Sequence, residues 1–180
     1  GADVGAVARG MGLDGRIGKK FLHAGPGYGG SCFPKDTVVL VRTAESLGVP
    51  ATIVRAVVEA NGRRKKAMAQ KIISACGGSV SGKTIAILGL TFKPNTDDMR
   101  EAPSLDIIPE LQRAGARVRV FDPQGMNEAR KLLGQDLAWC QSAYETMDGA
   151  HALVIITEWN EFRALDLNHC KQLLAAPVIV

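Results

Sequence analysis

Gly77-Gly-Ser-Val-Ser-Gly82-Lys83-Thr84-Ile-Ala-Ile-Leu-Gly89 is where the texture of this chain changes. Before it, apolar residues recur at three- and four-residue spacing from Ala51 through Val57, Met68 and Ile72 to Cys76, the pattern of one long helix opened by Pro50. Gly62 lies inside that pattern and costs about 1 kcal/mol without having to break it. After the glycine cluster, Thr84–Gly89 reads as a strand, and strands then alternate with helices. The helices are Ser104–Ala114, closed by Gly115, then Gly125–Leu133, Ala143–Asp148 and Leu167–Leu174. The strands are Arg117–Phe121, Leu137–Cys140, Ala152–Ile156 and Val178–Val180. Near-continuous apolar strands between helices predict a buried parallel sheet flanked by helices, Rossmann-like where crossovers are right-handed. The expected fold is α/β: a helical N-terminal segment with a long connecting helix (residues 1–78), then a Rossmann-like parallel-sheet domain (residues 79–180). That second domain reads as incomplete, because the chain stops on a strand.

The same stretch carries a decoy. Gly77-Gly-Ser-Val-Ser-Gly82-Lys83-Thr84 matches the phosphate-loop pattern letter for letter. A working phosphate loop follows a strand and opens a helix, so that its N–H groups and the helix dipole meet the phosphates. Here a helix precedes and a strand follows, which argues against a P-loop NTPase. Asp122, at the end of a strand, is the only tempting magnesium-side acid, and a strand-end acid or helix cap explains it as well.

Upstream, Asp3–Met11 reads as a short amphipathic helix, and Lys35–Leu47 as a longer one ending at Gly48. Between them lies Gly25-Pro-Gly-Tyr28-Gly-Gly30-Ser-Cys32-Phe-Pro-Lys35-Asp36. Its glycines let backbone approach a ligand closely, and Pro34 suits the first turn of a helix. Cys32 is thereby placed near free N–H groups and the positive end of a helix dipole, with Lys35 close by, all of which favour a thiolate. Asp36 follows about one helical turn later, so both can face the same site. The alternative is a buried structural cysteine beside a tight turn. The run from Gly25 to Gly30 also fits Gly-x-Gly-x-x-Gly, but no strand precedes it. A true dinucleotide fingerprint is not found in these residues.

Two segments carry a resemblance. Phe21-Leu22-x-x-Gly25-x-Gly-Tyr28-Gly-Gly-Ser-Cys32-Phe-Pro-Lys-Asp36 resembles the nucleophile loop of UDP-glucose 6-dehydrogenases. Leu90-Thr-Phe92-Lys93-Pro-Asn-Thr-Asp97-Asp-Met-Arg100-Glu-Ala-Pro-Ser104 is similar to the same family's uridine-nucleotide segment. The resemblance runs over essentially the whole chain. It implies an NAD-dependent oxidation of UDP-glucose to UDP-glucuronate through a cysteine thiohemiacetal and thioester, with Cys32 as nucleophile and Asp36 serving the hydrolytic water. It further implies that Phe21, Leu22, His23, Ala24, Gly25, Tyr28 and Gly29 line the UDP-sugar and that Phe92 and Lys93 hold the uridine diphosphate. Lys35 and Arg100 would reach NAD, and Arg16 the active site of a neighbouring subunit in a homodimer. Blander readings stand beside these: Phe21 and Phe92 as core, Arg100 as a surface ion pair with Asp97 or Asp98. GDP-mannose dehydrogenases share much of both motifs, but Phe33 and Pro94-Asn95 look more like the UDP-glucose branch. A non-catalytic UDP-sugar-binding or dimerisation module is a third reading.

Composition is consistent with these expectations. Of 180 residues, 46% are hydrophobic, enough for a real core, and the net charge is a modest +4. Arg63-Arg-Lys-Lys66 is the only basic run and reads as a solvated helix face. No wide basic patch with aromatic residues suggests nucleic-acid binding, and no apolar run reaches membrane-spanning length. Cys32, Cys76, Cys140 and Cys170 are scattered, as are His23, His151 and His169, so no metal-ligand spacing appears. Reduced thiols and a cytoplasmic protein are expected. The start, without an initiating Met, suggests a piece of a larger protein whose dinucleotide domain lies elsewhere, leaving this stretch inactive alone.

Overall fold

A computed structural model describes residues 1–134 and 136–180. The helical segment contains α1 (Val4–Gly12), α2 (Phe33–Ser46) and α3 (Thr52–Ala75). Asp3 caps α1, accepting a hydrogen bond from the Ala6 amide at 2.5 Å. Helix α3 runs unbroken through Gly62 and packs against α2.

The second part interleaves β1 (Thr84–Leu88), α4 (Ser104–Arg113), β2 (Arg117–Phe121), α5 (Met126–Leu133), β3 (Ala138–Trp139), α6 (Ala143–Met147), β4 (Ala152–Ile155), α7 (Asn160–Arg163) and α8 (Leu167–Leu173). The sheet order is β3-β2-β1-β4, and every pair is parallel. In register, Ile85 stands opposite Val118 on one side and Ala152 on the other. Strand β1 is buried along its whole length, as its unbroken apolar run requires. Its Ile85 and Ile87 face Ile72, Ile107 and Leu111 in one core layer, while Ala86 and Leu88 face Met147, Phe162 and Cys170 in the other. Each such large side chain contributes roughly 1.5–3 kcal/mol by leaving water.

Three details differ from the sequence reading. Val178–Val180 lies beside β4, with the Ile155 amide donating to the Val180 carbonyl at 3.0 Å. It forms only a single bridge, Leu153 to Ile179, because so short a stretch cannot build a ladder. Helix α7 was not expected; it is one turn long, too short for periodicity to register, and exists to seat Phe162 in the core. The basic run 63–66 is not wholly solvated: Lys65 is 5% exposed. It continues, at helical spacing, the stripe that buries Ala69 and Ile72.

The phosphate-loop decoy is resolved by the order of elements. Lys83 leads directly into β1, and its Nζ donates to the Cys76 carbonyl at 2.6 Å, tying the connector to the end of α3. Asp122 is a buried hub. Its carboxylate accepts from the Leu90, Thr91, Gln124 and Gly125 amides and from Trp159 Nε1. It thereby closes the ends of β1 and β2 and starts α5. No helix is long and apolar enough to cross a membrane among the described residues.

Candidate active site

The strand order reverses between β1 and β4, and their C-terminal ends part there into a crevice, the usual ligand position in an open parallel sheet. The residues that follow these two strands, Phe92 and Lys93 on one side and Thr157 and Glu158 on the other, line a cleft of about 1340 Å³. Its opposite wall is the glycine loop, with Phe21, His23, Ala24, Gly25, Tyr28 and Gly29. The two segments singled out by sequence thus face each other. A smaller hollow at the N-terminal strand ends, beside Thr84, Arg117 and Pro109, lies on the wrong side of the sheet for such a ligand.

Close backbone contact welds the loop to the second segment. The Gly30 amide donates to the Arg100 carbonyl at 2.8 Å. A Cβ on Gly29 would collide with the Glu101 carbonyl, and one on Gly30 would stand 2.8 Å from the Phe92 ring. Gly30 also has φ 93°, open only to glycine at no cost. The segment folds back on itself where the Phe92 amide meets the Asp98 carbonyl at 3.1 Å, and Lys93 Nζ lies 5.3 Å over the Phe92 ring.

Cys32 sits immediately before α2, and its carbonyl accepts the Asp36 amide at 2.8 Å, the first turn of the helix. Pro34 occupies that turn. The Cys32 thiol is the exposed one of the four, 3.6 Å from Ser31 Oγ. Burial pushes the Cys76, Cys140 and Cys170 thiols up from the ordinary thiol range, away from nucleophilic form. Asp36 and Lys35 lie beside each other, Nζ to Oδ1 at 3.5 Å, both largely exposed. Arg100 forks onto Asp98, with Nη2 2.7 Å from Oδ2. That hydrogen bond holds the Asp98 carboxyl below the usual carboxylate range and raises Arg100, to which the nearby Cys32 adds a smaller Coulombic pull.

Some expected residues are not in the cleft wall. Leu22, Cys32, Lys35, Asp36 and Arg100 are not among its lining residues, although Phe33, next to Cys32 in the chain, is. Arg16 is held by Asp14, Nη2 to Oδ2 at 2.6 Å, with its side chain 90% exposed, and it does not line the cleft of its own chain. Phe21 is not core: it is 98% exposed at φ 63°, a left-handed conformation, and it does line the cleft. Phe92 packs against the core edge while lining the cleft. No cluster of three or more metal-capable side chains occurs among the described residues.

Residues 1–63 match the central domain of the UDP-glucose/GDP-mannose dehydrogenase family, and residues 86–180 match that family's UDP binding domain. The chain belongs to this family. It is 57% identical over 180 residues to the UDP-glucose 6-dehydrogenase of Rhizobium meliloti, covering 100% of this chain and 41% of that one. It is 48% identical to the UDP-glucose 6-dehydrogenase TuaD of Bacillus subtilis, again over 100% of this chain and 39% of that one. It therefore spans well under half the length of either relative. The solved UDP-glucose dehydrogenase from the archaeon Pyrobaculum islandicum superposes with a TM-score of 0.85 at 38% identity, over 90% of this chain and 37% of that one. The NDP-N-acetyl-D-galactosaminuronic acid dehydrogenase of Methanosarcina mazei does so at 0.82 with 26% identity, over 99% of this chain and 39% of that one.

In this dehydrogenase-family chain, sequence reading missed the floor of the site. Asn61, Arg64, Met68, Lys71 and Ile72 of α3 line the cleft, as do Glu158 and Arg163 beyond β4. Arg64 Nε donates to the Gly25 carbonyl at 3.2 Å. The available signal was spacing: Asn61 and Lys65 extend the buried stripe of Ala69 and Ile72 by steps of four.

Proposed function

We propose that the protein containing this chain is a UDP-glucose 6-dehydrogenase, oxidising the C6 alcohol of UDP-glucose to the carboxylate of UDP-glucuronate with two NAD. The observation that carries this reading is the exposed Cys32 loop docked on the Phe92–Arg100 segment across one cleft, in a chain of this family. Phe92, Lys93, Tyr28 and the loop backbone hold the UDP-sugar, the Lys93 cation facing diphosphate charge. A division at residues 78/79 separates the nucleophile-bearing segment from the UDP-binding domain.

The chemistry follows from what Cys32 and Asp36 can do. The Cys32 thiolate adds to the C6 aldehyde carbon; the C–S bond forms as the carbonyl pair moves to oxygen, which takes a proton. That aldehyde arises when the C6 alcohol loses one hydride and its hydroxyl proton. Loss of the second C6 hydride together with the thiohemiacetal hydroxyl proton, which passes to solvent, re-forms the C=O bond and gives a thioester. Asp36, exposed one turn from Cys32, takes a proton from water as the water oxygen adds to the thioester carbon. The C–S bond then breaks and the thiolate returns. NAD, when bound, supplies the oxidising power by accepting both hydrides. Lys35 and Arg100 fit the holding of such an anionic cofactor, because both are exposed cations, Lys35 three residues after Cys32 and Arg100 on the backbone that holds Gly30.

We also propose a homodimer. Val4, Val7, Met11, Val39, Leu40 and Ile53 expose apolar side chains on the helical segment, more than scattered surface residues would. Arg16, free of its own cleft, would reach the partner's site.

The test is a substrate panel with the whole protein. UDP-glucose and NAD should yield two NADH and one UDP-glucuronate, with GDP-mannose giving far slower turnover. Oxidation of GDP-mannose in preference to UDP-glucose would overturn the assignment.

A further inference from the structure

We propose that Lys65 is a positioning residue for the nucleophile: it pins the Glu101 turn under the Gly29–Gly30 step and so sets where Cys32 stands against bound substrate. The proposal rests on the reading of Cys32 given above.

Lys65 is the one buried cation among the described residues, at 5% exposure. An ammonium leaves water at a high cost unless its donors are met. Here they are met by the second segment. Nζ donates to the Glu101 carbonyl at 2.9 Å and lies 3.5 Å from Glu101 Oε2 and 3.4 Å from Asp106 Oδ2. Glu101 has φ 53°, a left-handed conformation that a non-glycine residue keeps only when its surroundings hold it.

That conformation has consequences for the loop. It presents the Arg100 carbonyl to the Gly30 amide at 2.8 Å. It also lays the Glu101 carbonyl on Gly29 so closely that a Cβ there would lie 2.9 Å from the carbonyl carbon. The lysine stem meets the loop directly as well, since a Cβ on Gly27 would stand 2.7 Å from Lys65 Cγ. One side chain therefore touches the loop with its stem and the opposing segment with its head. Cys32 follows Gly30 by two residues, and Arg100, whose carbonyl holds the Gly30 amide, is the neighbour of Glu101. Without the pin, Glu101 relaxes, the loop slides, and the sulfur moves relative to C6. Phe92 and Lys93 stay in place and keep the diphosphate end bound, so the loss falls mainly on turnover, with a smaller effect on binding through the displaced loop.

The experiment uses the whole protein with Lys65→Met, which keeps the stem and removes the charge, and Lys65→Arg, which keeps the charge. For Lys65→Met, kcat should fall about 100-fold with KM for UDP-glucose within about threefold, the signature of sub-ångström misplacement. The rate of Cys32 alkylation by iodoacetamide should change at least about fivefold. Lys65→Arg should return kcat to within about tenfold of the parent and the alkylation rate to within about twofold. Unchanged kcat and alkylation in Lys65→Met, or a loss shared equally by kcat and KM and not rescued by Lys65→Arg, would overturn the proposal. If Lys65→Met does not fold, Asp106→Asn decides: it removes one partner of Lys65 outside the cleft and should lower kcat about fivefold, and an unaltered kcat overturns the idea. If the parent protein oxidises no UDP-glucose, the functional reading fails by itself, and the alkylation rates still decide the role of Lys65.

Discussion

Asn61 holds Tyr28 by both of its backbone groups: Oδ1 accepts the Tyr28 amide at 2.8 Å, and Nδ2 donates to the Tyr28 carbonyl at 3.1 Å. A side chain on α3 thus replaces the strand partner that an irregular loop lacks. The Tyr28 ring is free to pack edge-on against Phe33 at 4.7 Å, at the start of the Cys32 helix. Asn61→Ala leaves both Tyr28 groups unpaired and is expected to cost about 1–3 kcal/mol. It should also lower turnover with UDP-glucose. Urea denaturation and steady-state rates on the whole protein check both, and full activity with unchanged stability would contradict the role given to this residue.

Cys32 should be the only cysteine that matters to chemistry. In the native protein, iodoacetamide should modify Cys32 alone, because the other thiols are buried. Cys32→Ser should abolish completed oxidation, whereas alanine at Cys76, Cys140 or Cys170 should leave rates within a few-fold of the parent and reduce stability by about 1 kcal/mol each. Peptide mapping after alkylation and product analysis provide the readouts. Near-normal glucuronate production by Cys32→Ser would sink the nucleophile assignment.

The same buried thiols set a pH dependence. Their folded-state pKa values lie above the ordinary 9.0, chiefly through burial. The stability tied to the neutral thiols is therefore fully present below that value and is lost as pH rises through it, because the unfolded chain ionises first. Denaturation midpoints measured below and above pH 9 should fall with pH, and the Cys76, Cys140 and Cys170 triple alanine variant should fall less. Parallel curves would show that these thiols do not contribute.

Lys83→Ala removes the cap on the Cys76 carbonyl, which is held at 2.6 Å. The expected result is a loss of about 1 kcal/mol in stability, dehydrogenase activity within a few-fold of the parent, and no ATP binding before or after substitution. Calorimetric titration with ATP is the direct check. Measurable binding that vanishes with Lys83→Ala would restore the phosphate-loop reading.

The 180-residue chain on its own should pair but not turn over. Ile53, 82% exposed near the start of α3, belongs to the apolar surface proposed to pair. Light scattering should give a dimer for the parent chain and a monomer for Ile53→Lys. No NADH should form from UDP-glucose and NAD, because β1 ends at Leu88 and the next helix begins only at Ser104, leaving no helix N-terminus to seat a pyrophosphate directly after that strand. A monomeric parent chain would remove the pairing proposal alone, whereas NADH formation would overturn the account of the cofactor site.

Local signals carried much of the fold. The run Thr84–Leu88 could be buried on both faces only as a central parallel strand, and it is. Pro34 and the glycines before Cys32 marked the loop-to-helix junction because φ preferences and missing N–H groups act on single residues. The inverted order around Lys83 was equally legible, since a phosphate loop is defined by what precedes and follows it in the chain.

Sequence by itself determined the α/β class, the helix–strand alternation and the placement of a cysteine at the head of α2; its exposure came from the fold. Tertiary structure alone decided what lies under that cysteine. Asn61 and Lys65 read as ordinary polar residues of a helix until α3 is laid beneath the loop, where one meets Tyr28 and the other Glu101. Phe21 read as core or ligand contact, and only the folded chain excludes the core, leaving the ring exposed along the cleft wall. The order β3-β2-β1-β4, which opens the crevice between β1 and β4, belongs to the same class. Periodicity and turn chemistry depend on neighbours within a few residues. The pairings that build the cleft join residues more than thirty positions apart, and their energy comes from contacts and desolvation that exist only once the layers have closed.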